Sequence, residues 1–139
     1  MSESESLAIQ YGSSRVLVID PLEETREVLE TMLARRGVRI VTAVRREEGL
    51  RLAREFHPDV VVLDCETPST ANTSNSLPTS DGEQQSFAAA SPERPPSLIL
   101  IGNARRAANE PSAHYVQKPY HYGPLIHTIE ALLAERRAA

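Results

Sequence analysis

Three side chains in this sequence combine reactive types with suggestive placement: Asp20, Asp64 and Lys118. Asp64 closes the apolar run Val60 to Leu63, which Pro58 and Asp59 introduce. Asp20 closes a second run, Arg15 to Ile19, and Lys118 follows a third, His114 to Gln117. An aspartate serves as a covalent nucleophile or as an oxygen ligand to a hard cation, and a lysine offsets negative charge. Each also has an ordinary use. Asp20 ahead of Pro21 is a good helix cap, Asp64 suits a turn, and Lys118 before Pro119 suits a solvated surface. Their convergence on one edge of a sheet favours a joint functional reading.

That convergence depends on the elements between them. Short, β-branched apolar runs bounded by turn residues read as strands buried on both faces, which belong to parallel sheets covered by helices. After Arg15–Ile19, Pro21 suits a first helical position, with Asp20 as cap and Glu23 and Glu24 in the first turn. Thr25, Val28, Leu29, Met32 and Leu33 then form one apolar stripe, and Gly37 ends the helix. Val38 to Ala43 is the next strand. Glu47 to Phe56 reads as a helix stopped by His57-Pro58. The order to this point is β-α-β-α-β, the doubly wound pattern.

From Glu66 to Pro96 the periodicity dissolves into turn-rich, low-complexity sequence, read as an insertion of 66–96, with a short helix expected over Gly82 to Ala90. Ser97 to Gly102 is a fourth strand. Asn103 to Ala113, interrupted by Pro111, is at the lower limit for a crossover helix before the fifth strand, His114 to Gln117. A last helix starts at Pro124, with Leu125, Ile126, Ile129, Leu132 and Leu133 as its stripe and Arg136 and Arg137 in its last turn. Residues 1–14 are polar and acidic and are expected to be a disordered tail, leaving 15–138 as one domain.

Composition bounds the partners. The 139 residues fit one domain, and the formal charge of −4 argues against a nucleic-acid surface. Aromatics at 4% without tryptophan demand an aliphatic core. The single cysteine, Cys65, excludes an internal disulfide and suits a reducing compartment; its simplest reading is a small buried filler. No run approaches the ~20 apolar residues of a membrane span, and a cytoplasmic location is expected. The four histidines lack metal-ligand spacing.

With Asp20 after the first strand, Asp64 after the third and Lys118-Pro119 after the fifth, the sequence resembles the receiver domain of two-component response regulators, across about Arg15 to Arg137. Val16-Leu-Val-Ile-Asp20, Asp64 with Pro68, and Tyr115-Val-Gln-Lys-Pro-Tyr120 carry the resemblance. It implies a flavodoxin-like α/β fold with a five-stranded parallel sheet of order 2-1-3-4-5 and its switch point between the first and third strands. It further implies Asp64 as phosphoacceptor and Lys118 as the ammonium at the phosphoryl oxygens. Asp20, Asp64 and the Glu66 backbone carbonyl would hold Mg²⁺, with Gly102 and Tyr115 at the switch positions. A histidine kinase or phosphotransfer protein would be the partner, no enzymatic turnover is implied, and a homodimer is a further expectation.

The sequence also departs from the pattern. Pro21 stands where most receivers have a second acid, which weakens the metal site. Gly102 replaces a serine or threonine, and the fourth-helix segment is short while the stretch before the fourth strand has grown. An alternative reading is therefore a phosphorylation-independent pseudo-receiver that binds a partner constitutively. A remote one is a small aspartate-nucleophile phosphatase using Asp20, although Leu22 occupies the position of the second acid that chemistry needs.

Overall fold

Strand β3, Val60–Asp64, is buried along its whole length and lies at the centre of the sheet. In the computed structural model, which describes residues 14–67, 86–90, 92–102 and 114–138, it is flanked by β1 (Arg15–Ile19) and β4 (Ser97–Gly102). β2 (Arg39–Ala43) and β5 (His114–Gln117) form the edges. All pairings are parallel and the order is β2-β1-β3-β4-β5, as the resemblance implies.

Burial on both faces explains the unbroken apolar runs. Val16, Val18, Val60, Val62, Ile99 and Ile101 point to one side, where helices α1 (Glu23–Ala34) and α3 (Tyr122–Ala138) cover them with Leu29, Leu33, Ile126, Ile129 and Leu133. Leu17, Ile19, Val61, Leu63, Leu98 and Leu100 point to the other, against Ala53 of α2 (Arg46–Phe56). Each fully buried valine or leucine contributes about 1.5–3 kcal/mol relative to exposure, so the central strands hold the frame rigidly.

Two element starts differ from the sequence reading by two residues, and those of β2 and α2 by one. The first helix begins at Glu23 rather than Pro21, with Leu22 as its N-cap and no side-chain capping bond, so Asp20 is not its cap. Asp20 instead accepts the Leu22 N–H, at 2.8 Å, in a tight turn that keeps its carboxylate at the sheet edge. The last helix starts at Tyr122, ahead of Pro124, because proline is tolerated within a first turn. Gly37, at φ 78°, and His57, at φ 52°, end α1 and α2 in the left-handed region as helix stops commonly do.

Within the expected insertion, the short helix read over Gly82 to Ala90 is seen at residues 86–90. Residues 86–90 are helical and Phe87 is fully buried, packed with Leu98, Leu100 and Ala90 on the α2 side of the sheet. Parallel β3 and β4 require a crossover, and this helical turn is part of it. Residues 68–85 and 91 of the expected insertion, Pro68 included, the tail 1–14 apart from Ser14, and the short segment Asn103 to Ala113 lie outside the described residues.

At the amino edge of the sheet, Asp59 ties the frame to α3. Its Oδ2 accepts the Arg15 N–H at 2.9 Å, and its Oδ1 lies 3.5 Å from Arg136 Nε and 3.9 Å from an Arg94 nitrogen. Arg136 also donates to the Pro95 carbonyl at 3.0 Å. The arginine read as a partner for the helix dipole is thus a tether between α3 and the turn before β4.

Candidate functional site

β1 and β3 are neighbours whose following connections leave on opposite faces, so their carboxyl ends open a crevice. Asp20 follows β1 and Asp64 is the last residue of β3; each is 2% exposed. Lys118 follows β5, with its backbone N–H donating to the Gly102 carbonyl at 2.7 Å, which extends the β4–β5 pairing by one step. The Lys118–Pro119 peptide bond is cis.

From there the Lys118 ammonium reaches Asp64. Its Nζ stands 2.7 Å from Asp64 Oδ2 and 3.2 Å from Glu66 Oε2. Asp64 Oδ1 accepts the Glu66 N–H at 2.8 Å, so both carboxylate oxygens have partners. Burial disfavours the charged lysine, but the hydrogen bond and charge of Asp64, and those of Glu66, outweigh it and raise the Lys118 pKa above its usual value.

Among the described residues, Asp20 has no such ion pair. Burial, with the charge of Asp64 adding to it, pushes its pKa up to about 6 against the opposing Leu22 N–H, Lys118 and Arg26. Arg26 donates to the Asp20 backbone carbonyl at 2.8 Å rather than to the carboxylate. Asp20 is therefore a buried acid facing another acid, short of positive charge.

A cleft of about 490 Å³ opens over these groups, walled by Leu22, Pro119, Tyr120 and Tyr122. Tyr120 hydrogen-bonds Thr25, and its phenol is pushed up to about 12 by burial and by Asp20. Tyr120 and Tyr122 meet edge to face at 5.8 Å, and Leu22 is 60% exposed at the rim. A larger hollow of about 690 Å³ lies at the opposite edge beside Arg15, His57, Asp59 and Arg94. The tether between sheet and α3 already accounts for the charges there.

The structure brings Asp20, Asp64 and Lys118 together as the sequence led one to expect. Glu66 joins them through its side chain, a contact sequence reasoning missed even though it stands two residues beyond Asp64. Gly102 and Tyr115 also meet. A Cβ on Gly102 would lie 2.6 Å from the Tyr115 hydroxyl, 3.4 Å from Cys65 Cβ and 3.5 Å from Cys65 Sγ. Tyr115 thus fills space that residue 102 leaves open, and Cys65 is buried beside it. Among the described residues, no three His, Cys, Asp or Glu side chains cluster as metal ligands, and no helix is long and apolar enough to cross a membrane.

No family model matches the chain. Its sequence is 43% identical over 53 residues to the transcriptional regulatory protein AfsQ1 of Streptomyces coelicolor, covering 38% of this chain and 24% of that protein. The chain therefore spans about a quarter of the length of that curated relative. By structure it is similar to a response regulator receiver domain protein from Clostridium thermocellum, with a TM-score of 0.67, 22% identity, and 90% and 98% of the two chains covered. It is also similar to the receiver domain of a sensor histidine kinase from Pseudomonas aeruginosa PAO1, solved with magnesium ion coordinated in the active site cleft. That match has a TM-score of 0.65 and 16% identity, covering 87% of this chain and 98% of the other. Identities at this level speak to the fold, and the matched regulator speaks for the sequence. This chain has the fold of the receiver domains of two-component response regulators.

Proposed function

We propose that Asp64 accepts a phosphoryl group from the phosphohistidine of a histidine kinase or phosphotransfer protein in a cytoplasmic relay. The observation that carries this reading is the 2.7 Å pairing of Lys118 Nζ with Asp64 Oδ2 in a crevice shared with Asp20. An Asp64 oxygen attacks phosphorus, the new O–P bond forms as the donor's P–N bond breaks, and the departing imidazole nitrogen keeps the electron pair. Lys118 pairs with Asp64 before transfer, then balances the added charge on the phosphoryl oxygens.

The residues present fit a magnesium ion. Mg²⁺ takes oxygen ligands, keeps several waters and needs only one or two carboxylates. Asp20 and Asp64 supply two, both lining the same cleft at the carboxyl edge of the sheet. Asp20, Asp64 and the Glu66 carbonyl would hold it, with Pro21 offering no further oxygen. When bound, the ion would offset charge on the phosphoryl oxygens.

Incubation with acetyl phosphate and Mg²⁺ tests the reading. Intact-mass measurement should find one added phosphoryl group, absent in Asp64→Ala. No adduct on the unaltered chain, with partner binding intact in Asp64→Ala, would replace this function with constitutive binding.

A further inference from the structure

Lys118 is the only lysine in the sequence, and two carboxylates draw on its ammonium. Asp64 Oδ2 lies 2.7 Å from it and Glu66 Oε2 lies 3.2 Å from it. The two acceptors are unlike. The Asp64 side chain is 3% exposed, whereas that of Glu66 is 62% exposed and keeps access to water. Glu66 is also held at its root, because its backbone N–H donates to Asp64 Oδ1 at 2.8 Å. A fixed backbone and a solvated tip make an arm that can leave Lys118 without disturbing the end of β3.

A phosphoryl group on Asp64 changes the balance around this ammonium. It brings three strong acceptor oxygens and close to two negative charges. Lys118 has three N–H donors to offer, but a Glu66 carboxylate kept 3.2 Å from it would face those oxygens as a like charge. The arm that supports the resting pair therefore opposes the modified one.

We propose that Glu66 is a positioning residue that holds Lys118 in the resting pair and competes with the phosphoryl group for its ammonium. On phosphorylation of Asp64, the Glu66 carboxylate gives up Lys118 and turns to water. Glu66 thereby sets how far the equilibrium runs toward the phosphorylated chain. This deepens the reading of Asp64 as the acceptor and rests on it.

Two measurements on the full chain test the competition. The first is affinity for beryllofluoride, a phosphoryl mimic, with Mg²⁺ saturating for each variant. Glu66→Gln should bind the mimic about fivefold more tightly, the scale of one partly exposed ion pair. Glu66→Asp keeps the charge but shortens the arm by one methylene, out of reach of an ammonium anchored on Asp64. It should show part of the same gain. Glu66→Gln binding no more tightly than the unaltered chain overturns the competition and leaves Asp64 as acceptor. Glu66→Asp matching the unaltered chain also overturns it, because charge alone would then account for the effect. Failure of the unaltered chain to bind beryllofluoride overturns both readings.

The second measurement is nitrogen NMR of the lysine-labelled chain, in which a single lysine gives a single Nζ resonance. In the free chain, Glu66→Gln should move that resonance. With beryllofluoride bound, the variant and the unaltered chain should coincide, since Glu66 has by then let go. A difference that persists in the bound state overturns the release, and no difference in the free state removes the shared ammonium.

Discussion

Lys118 and Asp64 meet at 2.7 Å across an intervening strand, β4, whose last residue is a glycine. The pair is asymmetric: the Asp64 side chain is 3% exposed and that of Lys118 is 25% exposed. Lys118→Met therefore leaves a buried carboxylate without its cation, while Asp64→Asn leaves a lysine that can turn to water or to Glu66. Lys118→Met should cost about 1–3 kcal/mol at pH 7, discounted for the partial exposure of the lysine. Urea unfolding should place the Asp64→Asn/Lys118→Met double variant closer to the unaltered chain than Lys118→Met alone. Equal loss in both would mean the pair is not coupled.

Asp20 predicts a pH dependence of unusual sign for an aspartate. Its folded pKa of about 6 lies above the ordinary 3.8, so between these values the folded chain holds a proton that the unfolded chain has released. Stability linked to Asp20 is fully present below about pH 4, falls as pH rises through 6, and stays reduced at neutrality. Asp20→Asn keeps an oxygen for the Leu22 N–H and removes the titration. It should stabilise the chain at pH 7 by up to about 3 kcal/mol and flatten its stability between pH 4 and 6. A pH profile of urea midpoints that Asp20→Asn leaves unaltered would contradict the assignment.

Magnesium should act on the same proton. A cation beside Asp20 favours the carboxylate and opposes the protonated form, so Mg²⁺ and H⁺ compete. Added Mg²⁺ should raise the thermal midpoint more at pH 7.5 than at pH 5, through mass-action stabilisation of the folded chain. The increment should be absent in Asp20→Asn. An equal increment in that variant would place the ion elsewhere.

The sheet was legible because each central strand is a short apolar run with no polar interruption, a pattern only a doubly covered parallel sheet accommodates. The aspartates were legible because they stop those runs. Glu66 was harder to read, since its role depends on the arc that Lys118 makes after β5. Gly102 was read as the loss of a hydroxyl, because nothing in the local sequence reveals that Tyr115 occupies the space. The start of α1 was misplaced because Asp20 and Pro21 satisfy the local rules for a helix start. The need to hold Asp20 at the sheet edge overrides them.

Phe87 is the sharpest case of a core residue hidden in unpatterned sequence. It is one of two phenylalanines, it stands in a turn-rich stretch, and it is fully buried against Leu98 and Leu100. A dispensable insertion would tolerate its loss. As part of the β3–β4 crossover, Phe87→Ala should instead cost about 3–5 kcal/mol, from lost burial and the cavity left behind. That is a large share of the roughly 5–15 kcal/mol typical of a domain, which brings the alanine variant close to the limit of folding. Phe87→Leu keeps most of the volume and should cost no more than about 1.5 kcal/mol, leaving a folded chain to measure. Urea titration of both variants decides the matter: a loss below 1 kcal/mol for the alanine substitution would mean the helical turn at 86–90 contributes little to holding β3 and β4 in place, and with them the position of Asp64.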